Sequence, residues 1–536
     1  MSSNGTRRGA LTGALLIVSC SGSCVAGDWT FRPLLSFSET LSDNVTRGDE
    51  GKGVSKGDLI TEVTPGFSLS GTGSRVQADI YYELAGINFL HDSSRNSLNN
   101  RLSLNSTLEL LDSRFFLDAR ASYFQVANSP SSTTSSDSIG LSGQASDIGT
   151  LFLSPYWKER FGGVAESLFK LTLGRTQTSN NSDGGASSSS LMSNSDTRGL
   201  SWNIGSIAGT GRLSWQAAFN DEVTSYDDGQ PDDKRRNSAF DTRWQLNEDW
   251  SLLGRLGNEQ NTLSDSTSND TNGSYWSGGV GWTPSRYLGV DTYYGSRDKE
   301  VRVKWNPTER TALDVSWRDR SVGLVTGPSW AMNFSQKTAN SVWTATYSDE
   351  VTTQQSSALQ NGGYFTYVDP TTGQAIYLDP TTGQLIARDQ SFGLRNGTYE
   401  TKRFELSTTY FRGHSQIFGR VFHEDRSYSD GTGDGTSYGA DASWTWQFAP
   451  RTRSTVGVTW QKVNDQTTDT TSSTGSGSGD GYLRGRVGLS HDLSADASAA
   501  VEYQHISSDG GSGVGSGSSS SAYDENRLTL SLNMRF

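Results

Sequence analysis

The sequence is poor in cysteine and proline and lacks long apolar segments. Its 536 residues include 2 Cys and 11 Pro. After the first thirty residues, no segment approaches the 18 or more apolar residues of a membrane-spanning helix. Both cysteines, Cys20 and Cys24, precede the mature chain if cleavage follows Ala26. That chain then has no disulfide, no thiol nucleophile and no cysteine metal site.

Recognisable catalytic motifs are also absent. Five histidines are scattered along the chain, with no HExxH and no GxSxG motif. The densest cluster is His423-Glu424-Asp425, but neighbours in a strand point to opposite faces, so His423 and Glu424 cannot act together. We expect no catalytic residues, no cofactor and no metal site. The net charge of -13 argues against nucleic acid as a partner, although it also fits simple solubility of acidic loops.

The N-terminus has the pattern of a secretory signal. Arg7 and Arg8 precede a short apolar segment, and the small residues Cys24-Val25-Ala26 follow it. This order predicts a signal peptide over residues 1–26. An alternative is a lipoprotein signal ending at Cys20, which would leave that residue acylated.

From residue 27 onward, apolar and polar residues alternate in short segments. In 75–84, Val76, Ala78, Ile80, Tyr82 and Leu84 share one face of a strand, and the charges share the other. The same separation of apolar and charged residues onto opposite faces recurs in the segments 240–246, 300–305 and 438–448. A charge on a lipid-facing side would cost about 2 to 4 kcal/mol at mid-membrane. One-sided charge and a mean hydropathy of -0.57 therefore suit a transmembrane barrel, in which only every second residue meets lipid.

Tight turns follow several tryptophans, and long polar segments separate these turns. Such rings are expected at the membrane boundary, where an amphipathic indole is stable, whereas in a soluble sandwich they would pack at its end. Ser/Gly-rich segments span 179–196, 260–274, 466–480 and 508–525. They could link soluble domains, but their alternation with tight turns favours extracellular loops. The boundary aromatics are Trp244, Trp282, Trp305 and Trp446.

Counting these segments predicts the fold class. The chain over 27–536 is expected to be all-β, a transmembrane antiparallel β-barrel of about 24 strands, with a range of about 20 to 26. Short turns face the periplasm and long loops face the exterior. The predicted location is the outer membrane of a Gram-negative bacterium.

The last strand alternates and ends on an aromatic. One face carries Leu528, Leu530, Leu532, Met534 and Phe536. We interpret this face as lipid-facing, and the strand as the assembly signal that outer-membrane barrel assembly machinery recognises. The expected partners are therefore outer-membrane lipid and that machinery.

One long connection, 349–401, contains a duplication. The segments YVDPTTGQAI (367–376) and YLDPTTGQLI (377–386) each contain Asp-Pro-Thr-Thr-Gly, a strong turn signal. We expect a small hairpin that caps or plugs the barrel. Calcium binding by Asp369 and Asp379 is the alternative, but two carboxylates fall short of a calcium cage.

Several segments resemble a known family. They are RPLLSFSETLSDNV (32–45), the segment 58–84, SPYWKERFGGVAES (154–167) and the repeated Trp-x-Pro-Ser/Thr turns. They are similar to the outer-membrane barrel proteins associated with PEP-CTERM/exosortase systems. The resemblance implies bacteria that make exopolysaccharide, and it implies no reaction and no catalytic residues.

Two functions follow as hypotheses. The barrel is a conduit or scaffold linked to exopolysaccharide production or export, or else it is a general diffusion porin or structural barrel. Mixed charge on the predicted inner face suits both, and inward aromatic rings either stack on sugars or simply fill the barrel wall. The candidate lumen residues are Arg302, Lys304, Arg318, Arg420, Arg484, Arg486, Tyr81 and Tyr293, with Asp79, Asp241, Asp291, Asp314, Asp441, Phe418 and Phe422 beside them.

Overall fold

The computed structural model describes most of the chain after residue 26. The described ranges are 27–46, 56–127, 139, 145–180, 192–207, 209, 211–263, 272–353, 365–368, 375–378, 385–386, 397–429, 434–465, 480–509 and 522–536. The expected signal peptide, including Arg7, Arg8 and both cysteines, lies outside them. So do the two Asp-Pro-Thr-Thr-Gly turns with Asp369 and Asp379.

The described residues form a 24-stranded antiparallel sheet. Period-two alternation builds each strand, and pairing between chain neighbours builds the wall. The wall strands are β1 (Gly27–Ser42), β2 (Asp58–Gly73), β3 (Val76–Phe89), β4 (Ser97–Leu111), β5 (Phe115–Ala127), β6 (Ala145–Phe161), β7 (Ala165–Asn180), β8 (Ser195–Ser206), β9 (Leu213–Tyr226), β10 (Asp233–Gln245), β11 (Trp250–Thr262), β12 (Gly273–Ser285), β13 (Leu288–Ser296), β14 (Asp298–Thr308), β15 (Thr311–Arg320), β16 (Gly327–Lys337), β17 (Ser341–Thr353), β21 (Thr398–Arg412), β22 (Ser415–Tyr428), β23 (Gly435–Ala449), β24 (Thr452–Asp465), β25 (Asp480–Asp492), β26 (Ala497–Ser508) and β27 (Tyr523–Arg535).

A small second sheet lies in the long connection between β17 and β21. It contains β18 (Phe365–Val368), β19 (Ala375–Leu378) and β20 (Leu385–Ile386), paired in that order. Tyr367 pairs with Ile376 and Tyr377 pairs with Ile386, so the first and last residues of each copy are partners, and β19 contains the end of the first copy and the start of the second. A single 3-10 turn, Ser93–Arg95, precedes β4 in the described part of the chain.

The large sheet is closed because its first and last strands pair. Residues Leu34–Ser42 of β1 pair with Arg527–Arg535 of β27, while β2 pairs with the other edge of β1. The prediction of an antiparallel barrel of about 24 strands is confirmed. Within the described residues, no helix is long and apolar enough to cross a membrane.

The two faces of the wall differ as the alternation requires. On β1 and β27, Phe37 and Leu41 face outward beside Leu532 and Leu528, whereas Ser36 faces inward beside Asn533. Exposed tryptophans, leucines and valines cover the outer surface. Closure leaves no free first or last strand, and this apolar exterior is covered by lipid. The protein is therefore a barrel of the Gram-negative outer membrane.

Outward-facing charge marks where the apolar exterior ends. Near the extracellular ends of β7 to β10, Arg175 pairs with Asp196 at 2.9 Å and Arg236 pairs with Asp221 at 2.6 Å. Glu39 departs from the one-sided charge pattern, because it lies on the outer face between Phe37 and Leu41. Its carboxylate accepts a hydrogen bond from the Thr61 hydroxyl at 2.9 Å, which compensates part of its desolvation.

The ends of the barrel are unequal. Turns such as 286–287, 309–310 and 450–451 close the periplasmic end, and the long connections leave the extracellular end. Strands reach further than the sequence pattern predicts, because the long connection narrows from 349–401 to 354–397. The reason is that polar residues at the rim remain paired in ladders although they do not alternate.

Candidate functional site: the barrel lumen

The lumen is lined by every second residue of the wall strands. Residues opposite each other in a ladder share a face, so the registers place the candidate lumen residues directly. Arg302 lies opposite Asp291, Lys304 opposite Asp314, and Arg420 opposite Asp441. The other inward candidates are Arg318, Arg484, Arg486, Tyr81, Tyr293, Asp79, Asp241, Phe418 and Phe422.

A first group of charges is buried on β11, β14 and β15. We call Arg255, Asp298, Glu300, Arg318 and Arg320 the β14 charge cluster. Asp298 accepts hydrogen bonds from Arg318 Nε at 2.8 Å and from Ser277 Oγ at 2.9 Å. Arg320 Nε and Arg255 Nη1 each lie 3.4 Å from its carboxylate.

The sequence of β14 explains why these charges meet. In DKEVRVKW, Val301, Val303 and Trp305 face lipid, so Asp298 and Glu300 turn inward with the basic residues that follow. Glu300 contacts Arg255 and lies 3.0 Å from Arg302. Both carboxylates are almost completely buried. Burial of this kind is tolerated only when each charge is paired and hydrogen-bonded.

Aromatic rings hold the arginines of the β14 charge cluster in place. The guanidinium of Arg255 lies 4.3 Å from the ring centre of Tyr293, and that of Arg320 lies 4.4 Å from the ring centre of Tyr275. A Cβ at Gly257 would lie 2.2 Å from the Tyr275 ring, so only glycine leaves room for it. These rings therefore support the arginines and present at most one face to the lumen.

A second group of charges lies on β21, β22 and β23. We call Arg403, Glu405, Arg420, Glu424 and Arg426, with Asp441, the β22 charge cluster. Glu424 is buried, and its carboxylate forms ion pairs with Arg403 at 2.6 Å and with Arg426 at 2.7 Å. Arg420 donates from Nε to Asp441 at 3.0 Å.

Phe422 lies within the β22 charge cluster. Its ring centre is 4.9 Å from the Arg403 guanidinium and 5.3 Å from that of Arg420. It therefore acts as a spacer between two cations. His423, next in the chain, faces outward against Tyr438 and lies 3.7 Å from Asp425. His423 and Glu424 thus occupy opposite sides of the wall.

Sequence reasoning missed the charges at the closure of the barrel. Glu525 and Arg527 of β27 are both buried. Arg527 Nη2 donates a hydrogen bond to Glu525 Oε2 at 2.9 Å. Ser42 of β1 donates to Glu525 at 2.6 Å. Alternation alone places Glu525 and Arg527 inward. The contact of Glu525 with Ser42, however, depends on the pairing of β1 with β27 that closes the barrel.

These clusters give the lumen its electrostatic character. Its charged residues largely neutralise each other within the wall, and the arginines keep their orientation through carboxylates and rings. No group of three or more His, Cys, Asp or Glu side chains suitable for a metal ion occurs in the described ranges.

A cavity of about 980 Å³ opens in the lumen near the periplasmic turns of β4 to β10. Its lining includes Lys158, Arg160, Arg243 and Asp241. Lys158 and Arg160 are exposed inside the barrel. Lys158 Nζ lies 5.0 Å from the ring centre of Phe116. Charge is thus more accessible in this periplasmic vestibule than in the two buried clusters.

The remaining candidate residues lie on the outer face. Trp244, Trp282, Trp305 and Trp446 are all exposed and lie close to periplasmic turns. Phe536 is 71% exposed, and its N–H donates to the Pro33 carbonyl at 3.0 Å. The other residues of the predicted assembly signal that face outward are Leu528, Leu530, Leu532 and Met534.

Comparisons with known proteins find similarity in structure only. No family model and no curated protein matches the chain. The siderophore receptor PirA of Pseudomonas aeruginosa is 11% identical, with a TM-score of 0.42 over 94% of this chain and 80% of the receptor. The FrpB iron transporter of Neisseria meningitidis (F5-1 variant) is 10% identical, with a TM-score of 0.46 over 94% of this chain and 82% of the transporter. At these identities the similarity says nothing about what this chain binds or transports.

Proposed function

We propose that the barrel is a conduit or scaffold for exopolysaccharide at the outer membrane. The observation that carries the proposal is the lumen wall, in which buried charges are paired into the β14 and β22 charge clusters. Such a wall is polar without a strong net field, so it suits a hydroxyl-rich polymer better than a small ion of one sign. The resemblance to PEP-CTERM/exosortase-associated barrels supports the choice of polymer.

Barrel size supports passage of a polymer. Diameter grows with strand number, and porins of 16 to 18 strands already enclose an aqueous channel. A wall of 24 strands encloses a wider lumen. An unobstructed hole of that size would breach the permeability barrier, so we propose that the long connection 354–397, with its small sheet β18 to β20, caps or plugs it.

Two experiments test this function. Removing residues 360–390 is expected to increase single-channel conductance and sensitivity to bulky antibiotics, whereas shortening the connection 510–521 is the control and should change neither. Deleting the gene is expected to reduce surface exopolysaccharide. Conductance no higher than that of the intact protein would refute the plug, and unchanged polysaccharide output would refute the export role.

A general diffusion porin is the second candidate. The exposed cations Lys158 and Arg160 in the periplasmic vestibule favour it, because accessible charge attracts small anions. Conductance measured with and without polysaccharide separates the two functions. A polymer conduit is expected to be blocked by polysaccharide added to one side, while a general porin is expected to conduct ions unchanged.

A further inference from the structure

At the junction of β16 with β17, both strands continue well beyond the ladder that joins them. Between β16 and β17, the ladder runs from Met332 opposite Tyr347 to Lys337 opposite Val342. Residues 327–331 of β16 and 348–352 of β17 belong to strands, but no ladder joins these two segments in the described part of the chain. We call this junction the β16–β17 seam. It lies in the extracellular half of the wall.

The outer neighbours of the seam are fully paired. β15 pairs with β16 up to Gly327, and β21 pairs with β17 up to Thr353. Fraying of a strand end therefore does not explain the missing ladder. Pro328 cannot donate a backbone hydrogen bond, and Gly327 has a φ of 89°, so the extracellular end of the β16 edge is poorly suited to pairing with β17.

The two sides of the seam offer different environments. On the outer face, Trp330 is exposed beside Trp317, with Met332 and Tyr347 at the base of the seam. On the inner face, Ser329 lies opposite Arg318. Above them on β17, Asp349 faces outward opposite Lys402 of β21, so the apolar exterior ends within the seam. A path through the seam therefore joins the upper margin of the apolar surface to a polar lumen.

Both charge clusters reach the inner border of the seam. Ser348 lies opposite Arg403 of the β22 charge cluster, as Ser329 lies opposite Arg318 of the β14 charge cluster. Backbone groups left without ladder partners at this margin of the apolar surface need other hydrogen-bond partners. Sugar hydroxyls can donate to and accept from such groups, while an attached acyl chain remains in lipid.

We propose that the β16–β17 seam is a lateral opening through which a glycolipid reaches the lumen from the outer leaflet, with its glycan inside and its acyl chains outside. The proposal rests on the proposed function, since it makes the conducted glycan a lipid-anchored one.

Disulfide formation tests whether the seam is open. Continuing the register places Ala331 opposite Ser348, two residues beyond Asn333 and Thr346, which are paired. Both pairs face inward and occupy the same type of ladder position. Under mild oxidation, the N333C/T346C control is expected to cross-link efficiently and A331C/S348C much less. Equal cross-linking would overturn the opening.

Photo-cross-linking tests the occupant. A benzophenone side chain at Ser329 is compared with one at Ser443, an inward serine whose strand is laddered on both sides. In vesicles of phosphatidylethanolamine and lipid A, glycolipid adducts are expected at position 329 and not at 443. Adducts of phosphatidylethanolamine alone, equal adducts at both positions, or none at 329 would overturn the proposal.

Two controls distinguish a failure of the seam proposal from misfolding of a variant and from a failure of the proposed function. Each variant is first checked for the heat-dependent gel mobility of a folded barrel, and Ser329→Cys labelled with a thiol-reactive benzophenone replaces any variant that does not fold. The adducts do not depend on polysaccharide output. Adducts at 329 with unchanged output after gene deletion would support the seam and refute the export role.

Discussion

Replacing Asp298 by asparagine should destabilise the barrel more than the same replacement at an exposed lumen carboxylate. The Asp298 side chain is 0% exposed and is approached by Arg318, Arg320 and Arg255. Asparagine keeps the shape of the side chain but removes the negative charge that the three guanidinium groups share. Breaking a buried pair from one side costs about 3 to 5 kcal/mol, which is roughly 10² to 10⁴ in the unfolding equilibrium constant.

Asp314→Asn is the matched control. Asp314 also faces the lumen, but its side chain is 43% exposed and lies 3.7 Å from Lys304. An exposed pair of this kind contributes about 0 to 1 kcal/mol. We expect Asp314→Asn to unfold at nearly the wild-type urea concentration, and Asp298→Asn to unfold at a clearly lower one.

Urea titration in lipid vesicles, read by unboiled gel mobility and tryptophan fluorescence, measures both variants. Asp298→Asn combined with Arg318→Gln should be less destabilised than the sum of the single changes, because the two side chains interact. If Asp298→Asn unfolds with the wild-type protein, or if Asp314→Asn is equally destabilised, the buried cluster does not stabilise the wall.

Further predictions concern the membrane-facing surface and the fold. The purified protein in detergent should have a predominantly β circular dichroism spectrum and a gel mobility that changes on boiling; a helical spectrum would contradict the barrel. Leu532→Arg places a charge on the lipid face opposite Phe37 and should cost about 2 to 4 kcal/mol, while Ser531→Arg, its inward neighbour, should be tolerated; equal urea midpoints would contradict the assigned faces. Phe536→Asp should lower the amount of protein in outer-membrane fractions if β27 is the assembly signal, and normal amounts would count against that role.

Alternation in the sequence is enough to predict strands, faces and the strand count. The reason is local: a side-chain period of two assigns each residue to lipid or lumen without reference to any other strand. The inward position of Arg302 and the outward position of Trp305 therefore follow from EVRVKW alone. Strand ends are less determined, because the polar residues near Gly27 and Thr353 lose the alternation while remaining in ladders.

Only the tertiary structure decided which charged residues meet in the β14 charge cluster and at the closure of the barrel. Asp298 and Arg255 are 43 residues apart in the chain, and they meet because Arg255 extends along the inner wall from β11 to β14. Ser42 and Glu525 meet only because the sheet closes. The partial pairing of β16 with β17 is likewise a property of register, which a period of two does not specify between strands. Sequence by itself determined which residues face the lumen, and the tertiary structure decided which of them touch.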